Sequence, residues 1–124
     1  MILVLTTYRT GSTNFCKDLA EQHKYENLDE CFHENLPDLH KSVLRHLYKN
    51  KNCVVKLMPY HIEKSPINNL LDELLPLAEK VYVLIRKDFD LQCQSYYVCC
   101  KTGEWHNTFY EPKDLILDKE KWQW

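Results

Sequence analysis

The sequence predicts an α/β protein, a small parallel β-sheet flanked by helices. Aliphatic runs at Ile2–Thr6, Cys53–Met58 and Lys80–Ile85, helix-period segments between them, and the absence of any linker or repeat interrupting the alternation together predict it. At 124 residues, 44% of them hydrophobic, the chain is long enough for one ordinary core and too short for two independent ones. A single domain over residues 1–124 is therefore expected.

Each element has its own reason. Ile2 to Thr6 is continuously apolar until its last residue, as in a strand covered on both faces of a parallel sheet. After Arg9-Thr10-Gly11, the hydroxyls of Ser12 and Thr13 suit a helix N-cap, and Phe15, Leu19 and Ala20 recur at helical spacing as far as His23. Lys24 to Pro37 is polar and aperiodic, so a loop of functional length is expected there. Pro37-Asp38 then opens an amphipathic helix marked by Leu39, Val43, Leu44 and Leu47.

Cys53 to Met58 is a second strand, stopped by Pro59, and Ile62 to Leu77 is mostly helical with a start or restart at Ser65-Pro66. Lys80 to Ile85 is the third strand. The next helix, Asp88 to Lys101, closes at Gly103, where a left-handed residue is expected, and a short helix is expected from Pro112. Right-handed crossovers make the sheet parallel, and ligands of such sheets lie beyond the carboxyl ends of the strands. Tyr8 to Gly11 and Arg86 both fall at such ends.

Basic and acidic residues nearly cancel, for a formal net charge of −2. Bulk charge therefore points to neither a nucleic-acid partner nor a polybasic membrane patch, and any anion site is local. Ile2–Leu5 is far shorter than a signal h-region, and no stretch reaches membrane-spanning length, so a soluble cytoplasmic protein is expected. The six cysteines lie at irregular spacings inside strand-like and helix-like segments, which favours reduced thiols acting as small hydrophobes. No C-x-x-C pair is present, and Cys31/His33 and Cys99/Cys100 lack a second pair at zinc-ligand spacing, so no structural metal is expected.

Two stretches carry the chemistry. Thr6 to Thr13 places a cation, a glycine and several hydroxyls between a buried strand and a helix start, where backbone N–H groups and the helix dipole attract an anion. The stretch lacks G-x-x-x-x-G-K-[ST], which disfavours a small P-loop phosphotransferase. At the end of the third strand, Arg86 and Lys87 precede a helix carrying Gln92, Ser95 and Tyr96. An arginine and a serine so placed suit a terminal phosphate, through a forked charge-assisted contact and a hydroxyl.

In this order the two stretches resemble the donor-binding motifs of sulfotransferases that use 3′-phosphoadenosine 5′-phosphosulfate (PAPS). The closest likeness is to the bacterial trehalose-type sulfotransferases. It rests on Tyr8-Arg9-Thr10-Gly11-Ser12-Thr13 with Cys16, and on Arg86-Lys87-Asp88, Gln92, Ser95 and Thr102-Gly103-x-Trp105-His106. Asp29-Glu30-Cys31-Phe32 is similar to the loop that supplies that family's catalytic glutamate, and Val55-Lys56-Leu57-Met58 to its next strand. Full-length members are longer, and Asn14-Phe15 replaces the aliphatic pair usual after the first motif.

The resemblance implies a P-loop-like sulfotransferase fold in shortened form and transfer of a sulfuryl group to a hydroxyl of a small, carbohydrate-like acceptor. PAPS is then the donor, 3′-phosphoadenosine 5′-phosphate (PAP) the product, and no metal is needed. It assigns the 5′-phosphosulfate to Tyr8, Arg9, Thr10, Gly11, Ser12 and Thr13, and the 3′-phosphate to Arg86 and Ser95, with Lys87 the rival of Arg86. Glu30 is the implied base, with Glu26, Asp29 and Glu34 as neighbouring carboxylates, and Arg9 the implied charge on the leaving phosphate. Tyr8, Tyr96 and Trp105 are candidates to stack on adenine or line the acceptor pocket, and His61 and His106 for acceptor contacts. The alternatives are a PAPS/PAP-binding remnant without transfer activity and a purely structural interaction domain. Glu111 to Trp124 is a candidate lid or last core element.

Overall fold

The computed structural model of the chain describes residues 1–103. Two compact units divide it, Met1–Ile85 and a segment beginning at Arg86. The first contains a parallel sheet of β1 (Ile2–Thr6), β2 (Glu26–Asp29), β3 (Cys53–Leu57) and β4 (Lys80–Leu84), in the order β2-β3-β1-β4. Its helices are α1 (Ser12–His23), α2 (Pro37–Lys49), α3 (Pro59–Glu63) and α4 (Leu70–Leu74), the last running into a 3₁₀ turn at Leu75–Leu77. The second unit contributes α5 (Phe89–Thr102). Among the described residues no helix is long and apolar enough to cross a membrane.

β1 is central, paired with β3 through Leu3↔Val55 and with β4 through Leu3↔Val81, which explains its unbroken aliphatic sequence. Alternation along the strands divides the core in two. Leu3, Val55 and Leu57 meet Leu47 of α2 and Leu70 and Leu74 of α4, while Ile2, Val4 and Val54 meet Cys16, Leu19 and Ala20 of α1. Each such aliphatic side chain contributes about 1.5–3 kcal/mol on full burial. Among the described residues no strand lies beyond β4; its Tyr82 and Leu84 pack on the α1 side, whereas Val81 and Val83 are exposed.

The structure departs from the sequence expectations in four places. A strand, β2, lies inside the expected loop from Lys24 to Pro37; its polar residues Glu26 and Asn27 are exposed, so pairing with β3 rather than apolar patterning holds it. Gly11, not Ser12 or Thr13, is the N-cap of α1, with φ 81° and no capping side chain; Ser12 is its first helical residue. Pro59 not only ends β3 but opens α3, as suits a residue without an N–H. The helical stretch from Ile62 to Leu77 is broken, with Asn69 in the left-handed region at the N-cap of α4.

The last described helix follows its expected course. Asp88 caps α5 by accepting the Leu91 N–H at 3.0 Å, and Gly103 closes it at φ 73°. All six cysteines are unpaired, and Cys16, Cys53, Cys93 and Cys99 are buried as expected, whereas Cys100 is exposed. Trp105, His106 and the segment from Glu111 to Trp124 lie outside the described residues.

Candidate functional site

The loop from β1 to α1 is built by two left-handed residues, Arg9 (φ 58°) and Gly11 (φ 81°). A Cβ on Gly11 would meet nothing within 4 Å, so glycine is required there by backbone conformation rather than by crowding. The Thr6 and Thr10 hydroxyls are hydrogen-bonded to each other across the turn. Gly11 C=O accepts the Phe15 N–H at 3.2 Å, starting α1, whose first turn carries no acid. A helix so begun keeps the positive end of its dipole uncompensated by its own side chains. The first turn of α5 differs, since Asp88 caps it and Asp90 lies within it.

Beneath this loop lies a buried cation. Lys56 shares a face of β3 with Val54, on the α1 side, and only 1% of it is exposed. Its ammonium donates to Thr13 Oγ1 at 3.1 Å. It also stands 3.2 Å from Asp29 Oδ1, an ion pair short of hydrogen-bond alignment, and 3.7 Å from Glu30 Oε2. Burying an ammonium is tolerated only with partners of this kind.

The two carboxylates reach Lys56 because β2 carries a bulge. Asn27 pairs with Val54 and Asp29 with Val55, leaving Leu28 as the extra residue. The Asn27 side chain accepts the Asp29 N–H at 3.1 Å, and Asp29 takes a left-handed conformation (φ 49°), which aspartate tolerates better than most residues. The bulge thereby turns the end of β2 toward β3, bringing Asp29 and Glu30 to the Lys56 ammonium.

On the far side of Glu30 stands His61, fully buried, with Nε2 3.8 Å from Glu30 Oε1. Met58 N–H donates to His61 Nδ1 at 3.1 Å, half of a capping box with histidine in the acidic position. A backbone N–H only donates, so Nδ1 is the acceptor and the neutral ring carries its proton on Nε2, facing Glu30. Burial, and then His33, Lys56 and His40, push the His61 pKa down from 6.5 to about 4, so the ring is neutral at pH 7. That Nε2 has no hydrogen-bond partner among the described residues.

Aromatic side chains form the rim. Tyr8 and Tyr60 stack with centroids 5.7 Å apart and planes 9° apart, and the Tyr60 hydroxyl contacts His33 Nδ1. Burial, and then Tyr8 and Glu30, raise the Tyr60 phenol well above its ordinary pKa. Cys16, at the base of α1, is fully buried with its thiol pushed up to about 11, chiefly by burial, so it serves the core rather than as a nucleophile.

Of the residues singled out by sequence, Tyr8 to Thr13 and Glu30 belong to the first unit, where Lys56 links Thr13 to Glu30. Glu26 starts β2 at the opposite end of the sheet, paired with His46, and Glu34 is exposed. Arg86, Lys87, Ser95 and Tyr96 belong to the second unit, the first two before α5 and Ser95 midway along it. Sequence reasoning passed over Lys56 as a site residue, although a single charge inside an aliphatic run is a signal. Against protein-family models, curated proteins and solved structures, the chain finds no match.

Proposed function

We propose that the chain is a PAPS-dependent sulfotransferase acting on a hydroxyl of a small acceptor, with Glu30 as base. The observation that carries this reading is Lys56, whose one ammonium joins Thr13, in the helical turn that follows the glycine loop, to Glu30. A loop made for an anion and a carboxylate suited to accept a proton are thereby neighbours, as sulfuryl transfer demands. The strand order β2-β3-β1-β4 also differs from the 3-2-1-4 and 2-1-3-4 orders of the common dinucleotide-binding and flavodoxin-like sheets.

In this reading the acceptor oxygen attacks sulfur as the bond from sulfur to the bridging phosphate oxygen breaks. The acceptor proton passes to Glu30, and the electron pair leaves with PAP. Arg9 and Lys56 supply positive charge where the leaving phosphate develops its own, and arginine, which keeps its proton, acts by charge alone. The 3′-phosphate is the expected ligand of Arg86 and Ser95.

Calorimetric titration with PAP tests the proposal, with 5′-AMP as the ligand lacking the 3′-phosphate and Arg86→Ala as a second control. Affinity that falls with either control supports a PAPS site. Equal or absent binding of both nucleotides refutes it. An acceptor screen with Glu30→Gln then measures the general base, expected at ~10²–10⁴-fold in turnover. Binding without turnover identifies a donor-binding remnant.

A further inference from the structure

A second cluster of chemically competent side chains lies at the other end of the sheet, where β2 and β3 begin. Glu26 and Cys53 are register partners on adjacent parallel strands, so their side chains leave the sheet on the same face. His46, in the last turn of α2, reaches the same point: its Nε2 lies 2.9 Å from Glu26 Oε2, and Cys53 Sγ lies 3.9 Å from that oxygen. The three ligand atoms fall within 4.8 Å of one another. Around a tetrahedral zinc ion, with bonds of ~2.0–2.3 Å, neighbouring ligand atoms stand roughly 3.3–3.7 Å apart, and the 2.9 Å and 3.9 Å separations from Glu26 Oε2 lie close to that range.

A second group, Glu30, His33 and His61, meets the same distance criterion but fails on chemistry. His61 Nδ1 accepts the Met58 N–H, so its Nε2 bears the proton and has no lone pair for a metal. His46 has no such restraint. Its ring is 45% exposed, and among the described residues no partner is found at Nδ1, which is therefore open to carry the proton when Nε2 becomes a ligand.

We propose that Glu26, His46 and Cys53 form a binding site for a divalent transition-metal ion, zinc foremost. Carboxylate, imidazole and thiolate are a borderline-soft donor set that selects zinc over magnesium or calcium. The charges close: one thiolate and one carboxylate neutralise the dication, and the Cys53 proton is released on binding. Glu26 is half exposed, like His46, so the fourth position opens to solvent and takes a water. The ion ties β2, α2 and β3 together, and β2 is the strand with the least apolar support of its own.

Cobalt(II) is the probe, because a thiolate ligand gives it a near-ultraviolet charge-transfer band and tetrahedral geometry intensifies its visible bands. The wild-type protein is expected to take up one equivalent with both signatures and to lose them when zinc is added. Cys53→Ser is expected to abolish the charge-transfer band, and Glu26→Gln and His46→Ala to weaken zinc binding at least about 10-fold. Cys53 is buried, so His46→Ala, at a half-exposed position, provides the variant in which the fold is retained. Cys31→Ser is expected to keep the band. Absence of a band in the wild type overturns the proposal, as does a band surviving in Cys53→Ser or lost only in His33→Ala.

Discussion

Lys56 Nζ and Thr13 Oγ1 are 3.1 Å apart, although one lies on β3 and the other in the first turn of α1. This contact fixes the glycine loop to the sheet and sets a buried positive charge under it. Replacing Lys56 by alanine leaves a cavity and strips Asp29 and Glu30 of their partner, at an expected cost of about 3 kcal/mol read by denaturant unfolding. Lys56→Met restores much of the packing and part of the stability, yet PAP affinity is expected to fall equally in both variants. Full PAP binding by Lys56→Met shows that the charge is not used by the ligand.

The His61 ring imposes a pH dependence. Its pKa is about 4 in the folded chain against an ordinary value of 6.5, so between these values the unfolded chain binds a proton that the fold excludes. Stability from this group is thus fully present above pH 6.5 and declines as pH falls toward 4. The loss is on the order of 3 kcal/mol. Urea unfolding across that window is expected to show the decline, and His61→Asn, whose side chain still accepts the Met58 N–H, to flatten it. An unchanged slope in His61→Asn assigns the effect to other groups.

Gly11 tests the loop without removing a functional group. Open space surrounds the position, so Gly11→Ala suffers only from its left-handed backbone, at about 1–2 kcal/mol, while Gly11→Asn loses less. Thermal unfolding of the two variants checks the order. If alanine proves as stable as glycine, φ at this position is not what selects the residue.

Two valines at non-adjacent sheet positions make an internal comparison. Val54 is fully buried between β2 and β1, whereas Val83 is 64% exposed on β4. Val54→Thr buries a hydroxyl among α1 side chains and is expected to cost roughly 1–3 kcal/mol, while Val83→Thr is expected to stay within about 0.5 kcal/mol. Comparable losses at both sites place a covering surface over β4.

The legible parts of the fold are those whose own residues carry the pattern of the element. β1, β3 and β4 appear as aliphatic runs, and α5 carries both a capping aspartate and a closing glycine. β2 was not legible, because Glu26-Asn27-Leu28-Asp29 has no strand pattern; it exists through its ladder to β3, a long-range property absent from a local window. The same holds for the site. Tyr8 to Thr13 and Glu30 stand out individually, but their connection runs through Lys56 and a bulge of one residue, Leu28, both decided by register.

The central position of β1 sets the schedule by which the chain acquires its structure during synthesis. Leu3 emerges from the ribosome well ahead of its strand partners, Val55 and Val81. Until then an aliphatic strand with two unsatisfied edges is exposed in the nascent chain, a substrate for holding chaperones and a seed for misassembly. Slowing translation between the codons for β1 and β3 lengthens that exposure, whereas slowing it after β4 leaves it unchanged.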